Sequence, residues 1–61
     1  MQIDTIHESL INGQRKQMAD QIDEYGLYDF WEDYRRFLNE TSADLSDFAD
    51  AVISYHRIRN R

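Results

Sequence analysis

The sequence predicts an all-α fold, a compact bundle of three to four short helices. Proline is absent, and the only glycines are Gly13 and Gly26, so few residues interrupt a helix. Apolar residues recur at spacings of three and four, without strand-like alternation. The connections between apolar stripes are short, which is typical of helices that pack against their neighbours in the chain. We expect a single helical domain over residues 1–61.

Two helices are predicted in the first half of the chain, with a break at Asn12-Gly13. The first apolar stripe consists of Ile3, Ile6 and Leu10, and the second of Ile11, Met18, Ile22 and Tyr25. Thr5 and Glu8 have the spacing of a capping box. Asn12 is a good N-cap, and Gly13 costs about 1 kcal/mol relative to alanine inside a helix, so both favour a break.

The third helix carries the clearest apolar stripe and is predicted to follow Gly26, which would end the second helix in a left-handed C-cap. The stripe consists of Leu27, Phe30, Trp31, Tyr34, Phe37 and Leu38. The opposite side is charged, with Asp29, Glu32, Asp33, Arg35 and Arg36. This separation of apolar and charged residues indicates an amphipathic helix.

A polar run over residues 39–42 predicts a turn before the last helix, which Thr41 with Asp44, or Ser42 alone, would cap. The apolar residues of the last helix are Leu45, Phe48, Ala49, Val52, Tyr55 and Ile58. Its last basic residues are Arg57, Arg59 and Arg61. These side chains would meet the negative end of the helix dipole favourably.

The small size and the lack of cysteine favour self-association. A domain this short buries only about 60% of the surface that its unfolded chain exposes, so its stability is modest. Because the chain contains no cysteine, neither disulfides nor thiolate-bound metals can stabilise it. A second copy would cover apolar surface that one chain leaves in water, and we therefore expect a homo-oligomer.

The chain lacks the residue patterns of enzymes and metal sites. His7-Glu8 begins like a zinc-protease helix, but Ile11 stands where the second histidine would be, and only His56 remains. No glycine-rich phosphate loop is present. Adjacent carboxylates would need a partly dry pocket for acid–base chemistry, and a domain of this size rarely encloses one. We predict a non-enzymatic protein without cofactor or metal.

The charges divide the chain into three segments. Residues 17–50 contain ten acidic and two basic residues, a charge of −8, whereas residues 1–16 are neutral and residues 51–61 carry +3, which gives the total of −5. This distribution disfavours direct nucleic-acid binding, which needs a basic footprint. An acidic face can instead dock on a basic protein surface or imitate the phosphates of a nucleic acid. A merely solvated face is the alternative.

Aromatic residues indicate a second route to binding. The chain has one tryptophan, four tyrosines and three phenylalanines, more than so small a core readily hides. Phe30, Trp31 and Phe37 are expected in the core, whereas Tyr28 lies off the stripe and is the best candidate for an exposed ring. The candidate partner-binding residues are therefore Tyr28, Asp29, Glu32, Asp33, Asp44, Asp47 and Asp50.

Three stretches in the middle of the chain are similar to short acidic accessory proteins of tailed bacteriophages. They are Asn12-Gly13-Gln14-Arg15-Lys16-Gln17, Glu24-Tyr25-Gly26 and Tyr28-Asp29-Phe30-Trp31. The resemblance carries no catalytic motif. It implies a protein that acts inside an infected bacterium and binds and blocks a host factor such as a defence nuclease.

Two hypotheses for function remain open. The first is a module that self-associates or binds another protein through exposed aromatic residues beside an acidic face. The second is a phage-encoded inhibitor that occupies a basic groove of a host protein by nucleic-acid mimicry. No stretch has the length of a membrane span or a signal-peptide core, so we expect no membrane association and a cytoplasmic location, in the host cell if the chain is phage-encoded.

Overall fold

The computed structural model describes residues 2–60, and these form four α-helices without a strand. Helix α1 spans Gln2–Ile11, α2 Arg15–Tyr25, α3 Leu27–Glu40 and α4 Ser46–Arg59. The prediction of a small all-α bundle is confirmed. None of these four helices has both the length and the apolar character needed to cross a membrane. Arg61, which the sequence assigned to the last basic turn, lies outside the described residues.

The break between α1 and α2 lies at the predicted position. Gly13 has φ 78°, in the left-handed region that favours glycine. The Gln14 amide donates to the Ser9 carbonyl at 2.9 Å, and the Gly13 amide donates to the Leu10 carbonyl at 3.1 Å. These two bonds form a Schellman motif, so the turn ends α1. Asn12 is therefore not the N-cap of α2, and that prediction was wrong.

The predicted capping box was also wrong. Thr5 and Glu8 both lie inside α1, which begins at Gln2. The Thr5 carbonyl instead accepts a hydrogen bond from the Ser9 hydroxyl at 3.2 Å, one helical turn later. A box at this spacing needs its first residue at the helix N-terminus.

A single residue, Gly26, separates α2 from α3, as the sequence predicts. Its φ of 107° and ψ of 115° place it outside the left-handed helical region, in a conformation open to glycine, so the predicted left-handed C-cap was wrong. The Gly26 amide donates to Ile22 at 2.9 Å, and its carbonyl accepts from Phe30 at 2.8 Å. One residue thus ends one helix and begins the next.

The turn between α3 and α4 contains a second Schellman motif. The Ala43 amide donates to the Leu38 carbonyl at 2.9 Å, and Ser42, which has φ 57°, donates to Asn39 at 3.3 Å. Ser42 therefore ends α3 and does not cap α4. Of the predicted caps, Asp44 acts on α4, because its Oδ1 accepts from the Ser46 amide at 2.9 Å.

The core lies around α2, which packs against each of the other three helices. The buried apolar residues of the core are Ile3, Ile6, Leu10, Met18, Ala19, Ile22, Phe30, Tyr34, Leu38, Ala51 and Tyr55. Trp31 and Phe37 were expected in the core and are half-buried against it. The core therefore draws on all four helices.

Three apolar residues assigned to predicted core stripes are exposed. Ile11 is 58% exposed at the end of α1, and Leu45 is 59% exposed just before α4. Ala49 is exposed as well, whereas α4 buries Ala51, Ser54 and Tyr55. Since apolar residues lie on more than one side of α4, their spacing alone does not identify the side that faces the core.

Candidate interaction surface

The exposed side of α3 presents the aromatic residue that the sequence singles out. Tyr28 is 86% exposed in the first turn. Glu32 lies four residues later and is therefore on the same side of the helix, and Asp29 is exposed next to Tyr28 in the chain. We refer to Tyr28, Asp29 and Glu32 as the Tyr28 patch. It combines an exposed ring with two carboxylates.

The other predicted binding residues do not belong to this patch. Asp33 is half-buried on the side of α3 nearest α2, where its carboxylate accepts a hydrogen bond from the Tyr25 hydroxyl. Asp44 follows the far end of α3, a helix of 14 residues. A helix of that length extends about 21 Å. Asp47 and Asp50 lie in the first half of α4. The seven predicted residues are thus distributed over separate parts of the molecule.

Several carboxylates in the acidic segment bind groups within the chain. Asp50 accepts hydrogen bonds from Arg15 at 3.2 Å and from the Ser54 hydroxyl at 3.1 Å. Arg15 Nε also donates to the Ser54 hydroxyl oxygen at 3.0 Å. This trio joins the start of α2 to the middle of α4, and it explains why Ser54 is buried without an unpaired hydroxyl.

A second polar cluster joins α2 to the end of α4. The Arg59 guanidinium lies 2.9 Å from Asp20 and 2.6 Å from Asp23. The Tyr55 hydroxyl donates to Asp23 at 2.5 Å. This hydrogen bond raises the pKa of Tyr55, and bonding to Asp20 raises the pKa of Arg59. Asp20 and Asp23 therefore serve the fold and are not a free acidic face.

Sequence reasoning missed this cluster. Two spacings in the sequence are consistent with the cluster. Asp20 and Asp23 lie three residues apart on α2, and Tyr55 and Arg59 lie four residues apart on α4. Each pair therefore shares one side of its helix. Pairing the two sides required knowledge of how α2 and α4 pack.

A buried tyrosine and a histidine meet between α1 and α3. The Tyr34 ring is fully buried, and its oxygen lies 2.7 Å from His7 Nδ1. Burial, together with the negative charges of Asp47 and Asp50, raises the pKa of Tyr34 well above its ordinary value. The His7 ring also packs edge-on against Phe37, with 5.4 Å between centroids. His7 is thus a packed side chain, which the sequence did not indicate.

The described residues also form small hollows. A hollow of about 150 Å³ is lined by Gln2, Thr5, Ile6, Gln21 and Glu24. A second of about 270 Å³ is lined by Ile3, Asp33, Arg36, Phe37 and Glu40. Pockets that hold small molecules usually measure roughly 300–1,000 Å³. Among residues 2–60, no three histidine or carboxylate side chains are grouped so as to hold a metal.

The outward side of α4 is apolar. Leu45 and Ile53 are 59% and 52% exposed, and Ala49, midway between them, is also exposed. The three residues are spaced four apart and therefore form one stripe along the helix. We refer to them as the α4 outer stripe. It faces away from the core side of α4, which carries Ala51 and Tyr55.

Comparison of the chain with protein-family models, with curated proteins and with solved structures found no match.

Proposed function

We propose that this chain is a small, non-enzymatic protein-interaction module that self-associates and binds a protein partner through the Tyr28 patch. The exposure of Tyr28 carries the proposal. An 86% exposed ring contributes little to the fold of its own chain. Tyrosine is among the residues that contribute most to binding when a partner covers them, because the ring supplies apolar area and the hydroxyl a hydrogen bond.

The charge near Tyr28 favours a basic partner surface. Asp29 accepts no side-chain bond among the described residues, and Glu32 meets Arg36 only at 3.8 Å with both side chains largely exposed. Exposed pairs of this kind contribute little and leave the carboxylate available. Arg35 and Arg36 lie further along α3, so the acidic character is concentrated at its start. A partner with basic residues around an apolar recess would complement this arrangement.

The test is affinity capture with three purified baits: the natural chain, Tyr28→Ala and Ile11→Ala. Ile11 is a matched control because it is also a large exposed apolar residue, at 58%, but lies on α1. We expect Tyr28→Ala to weaken binding of the captured protein by about tenfold or more, as for a residue central to an interface, while Ile11→Ala binds normally. Equal binding by all three baits would contradict the proposal.

The second candidate is a phage-encoded inhibitor that mimics nucleic acid, and the charge of −8 over residues 17–50 favours it. Asp20, Asp23 and Asp50 are already paired with arginines, which reduces the charge available for mimicry. Mimicry predicts that duplex DNA competes for the captured partner and that binding collapses as salt rises. Binding through Tyr28 predicts capture that persists in high salt and without competition by DNA.

We further propose a cytoplasmic location, in the host cell if the chain is phage-encoded. The resemblance of residues 12–17, 24–26 and 28–31 to phage accessory proteins supports the second setting. Capture should therefore be performed with bacterial extract as well as with purified candidate proteins.

A further inference from the structure

The α4 outer stripe is an apolar surface that the bundle leaves uncovered. It consists of Leu45, Ala49 and Ile53, with the half-buried Val52 at one edge and the exposed His56 beside it. An apolar stripe on the outward side of a helix is typical of a contact with another helix. Along the stripe, the small side chain of Ala49 lies one helical turn before the large side chain of Ile53.

We propose that this stripe is the contact between two copies of the chain, whose α4 helices lie antiparallel across a two-fold axis. The inference rests on the self-association in the proposed function and names the surface that performs it. Such an interface is isologous, so each residue contacts its counterpart's position on the other chain. A two-fold axis level with Ala51, midway between Ala49 and Ile53, places Ala49 of one copy opposite Ile53 of the second copy. The small side chain then leaves room for the large one.

The charges along α4 select the antiparallel orientation. Asp44 and Asp47 lie at the start of α4 and Arg57 near its end, whereas Asp50 and Arg59 are paired within their own chain. An antiparallel pair sets the acidic half of each helix against the basic half of the other and aligns the two helix dipoles favourably. A parallel pair would place like charges together.

Arg57 is the basic residue that remains available for this contact. Arg59 is bound to Asp20 and Asp23 within its own chain, whereas Arg57 is exposed and pairs with no carboxylate among the described residues. With Ala49 set opposite Ile53, Arg57 of one copy falls beside Leu45 and Asp44 of the second copy. The α4 outer stripe therefore has a charged contact at each end.

The size of the stripe implies a weak, reversible dimer. A standard interface buries about 800 Å² per partner, roughly a fifth of the 4247 Å² surface of this chain. One helix side of 14 residues supplies less than that. We therefore expect a dissociation constant in the micromolar range or above.

The first experiment is sedimentation equilibrium of the full chain from about 10 μM to about 1 mM, the range in which an interface of this size associates. The natural chain should pass from monomer to dimer, and Ile53→Asp should raise the dissociation constant at least tenfold. Ile11→Asp, an equally exposed apolar position on α1, should dimerise normally. Circular dichroism confirms that each variant is folded. A natural chain that stays monomeric, or a dimer that survives Ile53→Asp, would overturn the inference.

The orientation is tested by disulfide cross-linking, which is clean because the chain has no cysteine of its own. Antiparallel helices predict that a mixture of Leu45→Cys and Arg57→Cys chains forms cross-linked dimers, and that Leu45→Cys alone forms few. Abundant cross-linking of Leu45→Cys alone would show a parallel pair and contradict the proposed geometry. Cross-links that do not depend on Ile53 would indicate random collision.

Failure of this inference and failure of the proposed function are distinguishable. Tyr28 lies on α3 and not on the α4 outer stripe, so Tyr28→Ala should dimerise like the natural chain. Conversely, a monomeric Ile53→Asp chain should still capture the partner of the Tyr28 patch. If the natural chain is monomeric and Ile53→Asp no longer captures the partner, then the stripe binds a different protein and not a second copy of this chain.

Discussion

Helices α3 and α4 are equally long, at 14 residues each, but use their apolar residues differently. α3 keeps them on one side, where Phe30, Tyr34 and Leu38 are fully buried. α4 divides them between the core and the outer stripe. A helix with one apolar side buries that side in its own bundle, whereas α4 leaves a second apolar side in solvent.

The two helices share ring contacts but differ in their polar contacts. Trp31 on α3 packs edge-on against Phe48 and Tyr55 on α4, with 5.8 and 6.0 Å between centroids. α4 is also joined to α2 by hydrogen bonds and ion pairs through Ser54, Tyr55 and Arg59. We expect the loss of a fully buried α3 ring to lower the free energy of unfolding most. A rise in pH should act on both helices through their tyrosines.

The largest effect is expected for Phe30→Ala. The Phe30 side chain is fully buried and touches the rings of Tyr25, Trp31 and Tyr34. Its removal should lower the free energy of unfolding by about 3–5 kcal/mol, close to the whole stability of a domain this small. Urea unfolding followed by circular dichroism measures this loss. Tyr28→Ala on the same helix is the control and should unfold like the natural chain.

Trp31→Ala should have a smaller effect and tests the junction of the two helices. The half-buried Trp31 ring lies edge-on to Phe48 and Tyr55, with 5.8 and 6.0 Å between centroids. Because part of the ring is in solvent, the loss should be about 2–3 kcal/mol, less than for a fully buried aromatic residue. Thermal unfolding provides the measurement. An unchanged melting temperature would assign Trp31 to a partner surface instead.

High pH should weaken both helices through their tyrosines. Burial raises the pKa of Tyr34 on α3, and the hydrogen bond to Asp23 raises that of Tyr55 on α4, above the ordinary value of 10.0. Because the pKa is raised in the folded chain, the contribution of these tyrosines to the free energy of unfolding is complete below the unfolded-state pKa. That contribution is lost as pH rises through the folded-state pKa. Above pH 10.0 the unfolded chain ionises first.

The expected loss is about 1.4 kcal/mol per pH unit for a buried tyrosine such as Tyr34. Urea midpoints measured from about pH 9 to about pH 11, across the ordinary tyrosine pKa, should therefore fall. The Tyr34→Phe variant should show a shallower decline, since it has one ionisable ring fewer in the core. A decline as steep as that of the natural chain would show that Tyr34 ionises equally in both states.

The two helices also differ in how far the sequence predicted them. For α3, the stripe, the break at Gly26 and the exposure of Tyr28 followed from local spacing, because one side was apolar and the other charged. For α4, spacing could not select between two apolar sides. The side that faces the core is fixed by long-range partners, such as Arg15 for Ser54 and Asp23 for Tyr55, and spacing within one helix carries no information about them.

The candidate surface shows the same limit. Tyr28 was identified because it lies off the α3 stripe, a local property. The acidic residues grouped with it were chosen by sign of charge alone. Charge does not reveal that Asp44 caps α4, or that Asp50 binds Arg15 from a position 35 residues earlier. Such roles depend on the tertiary fold and on turn geometry.

The smallest effect is expected at the turn that joins the two helices, and it should be stabilising. Ser42 has φ 57°, a left-handed conformation that costs a residue with a side chain about 1–2 kcal/mol. Glycine adopts it freely, as Gly13 does after α1, but loses more freedom on folding. Ser42→Gly should therefore raise stability by about 0.5–1 kcal/mol. The reverse change, Gly13→Ser, should lower the melting temperature, and a loss of stability in Ser42→Gly would mean that the serine contributes a contact that outweighs its strain.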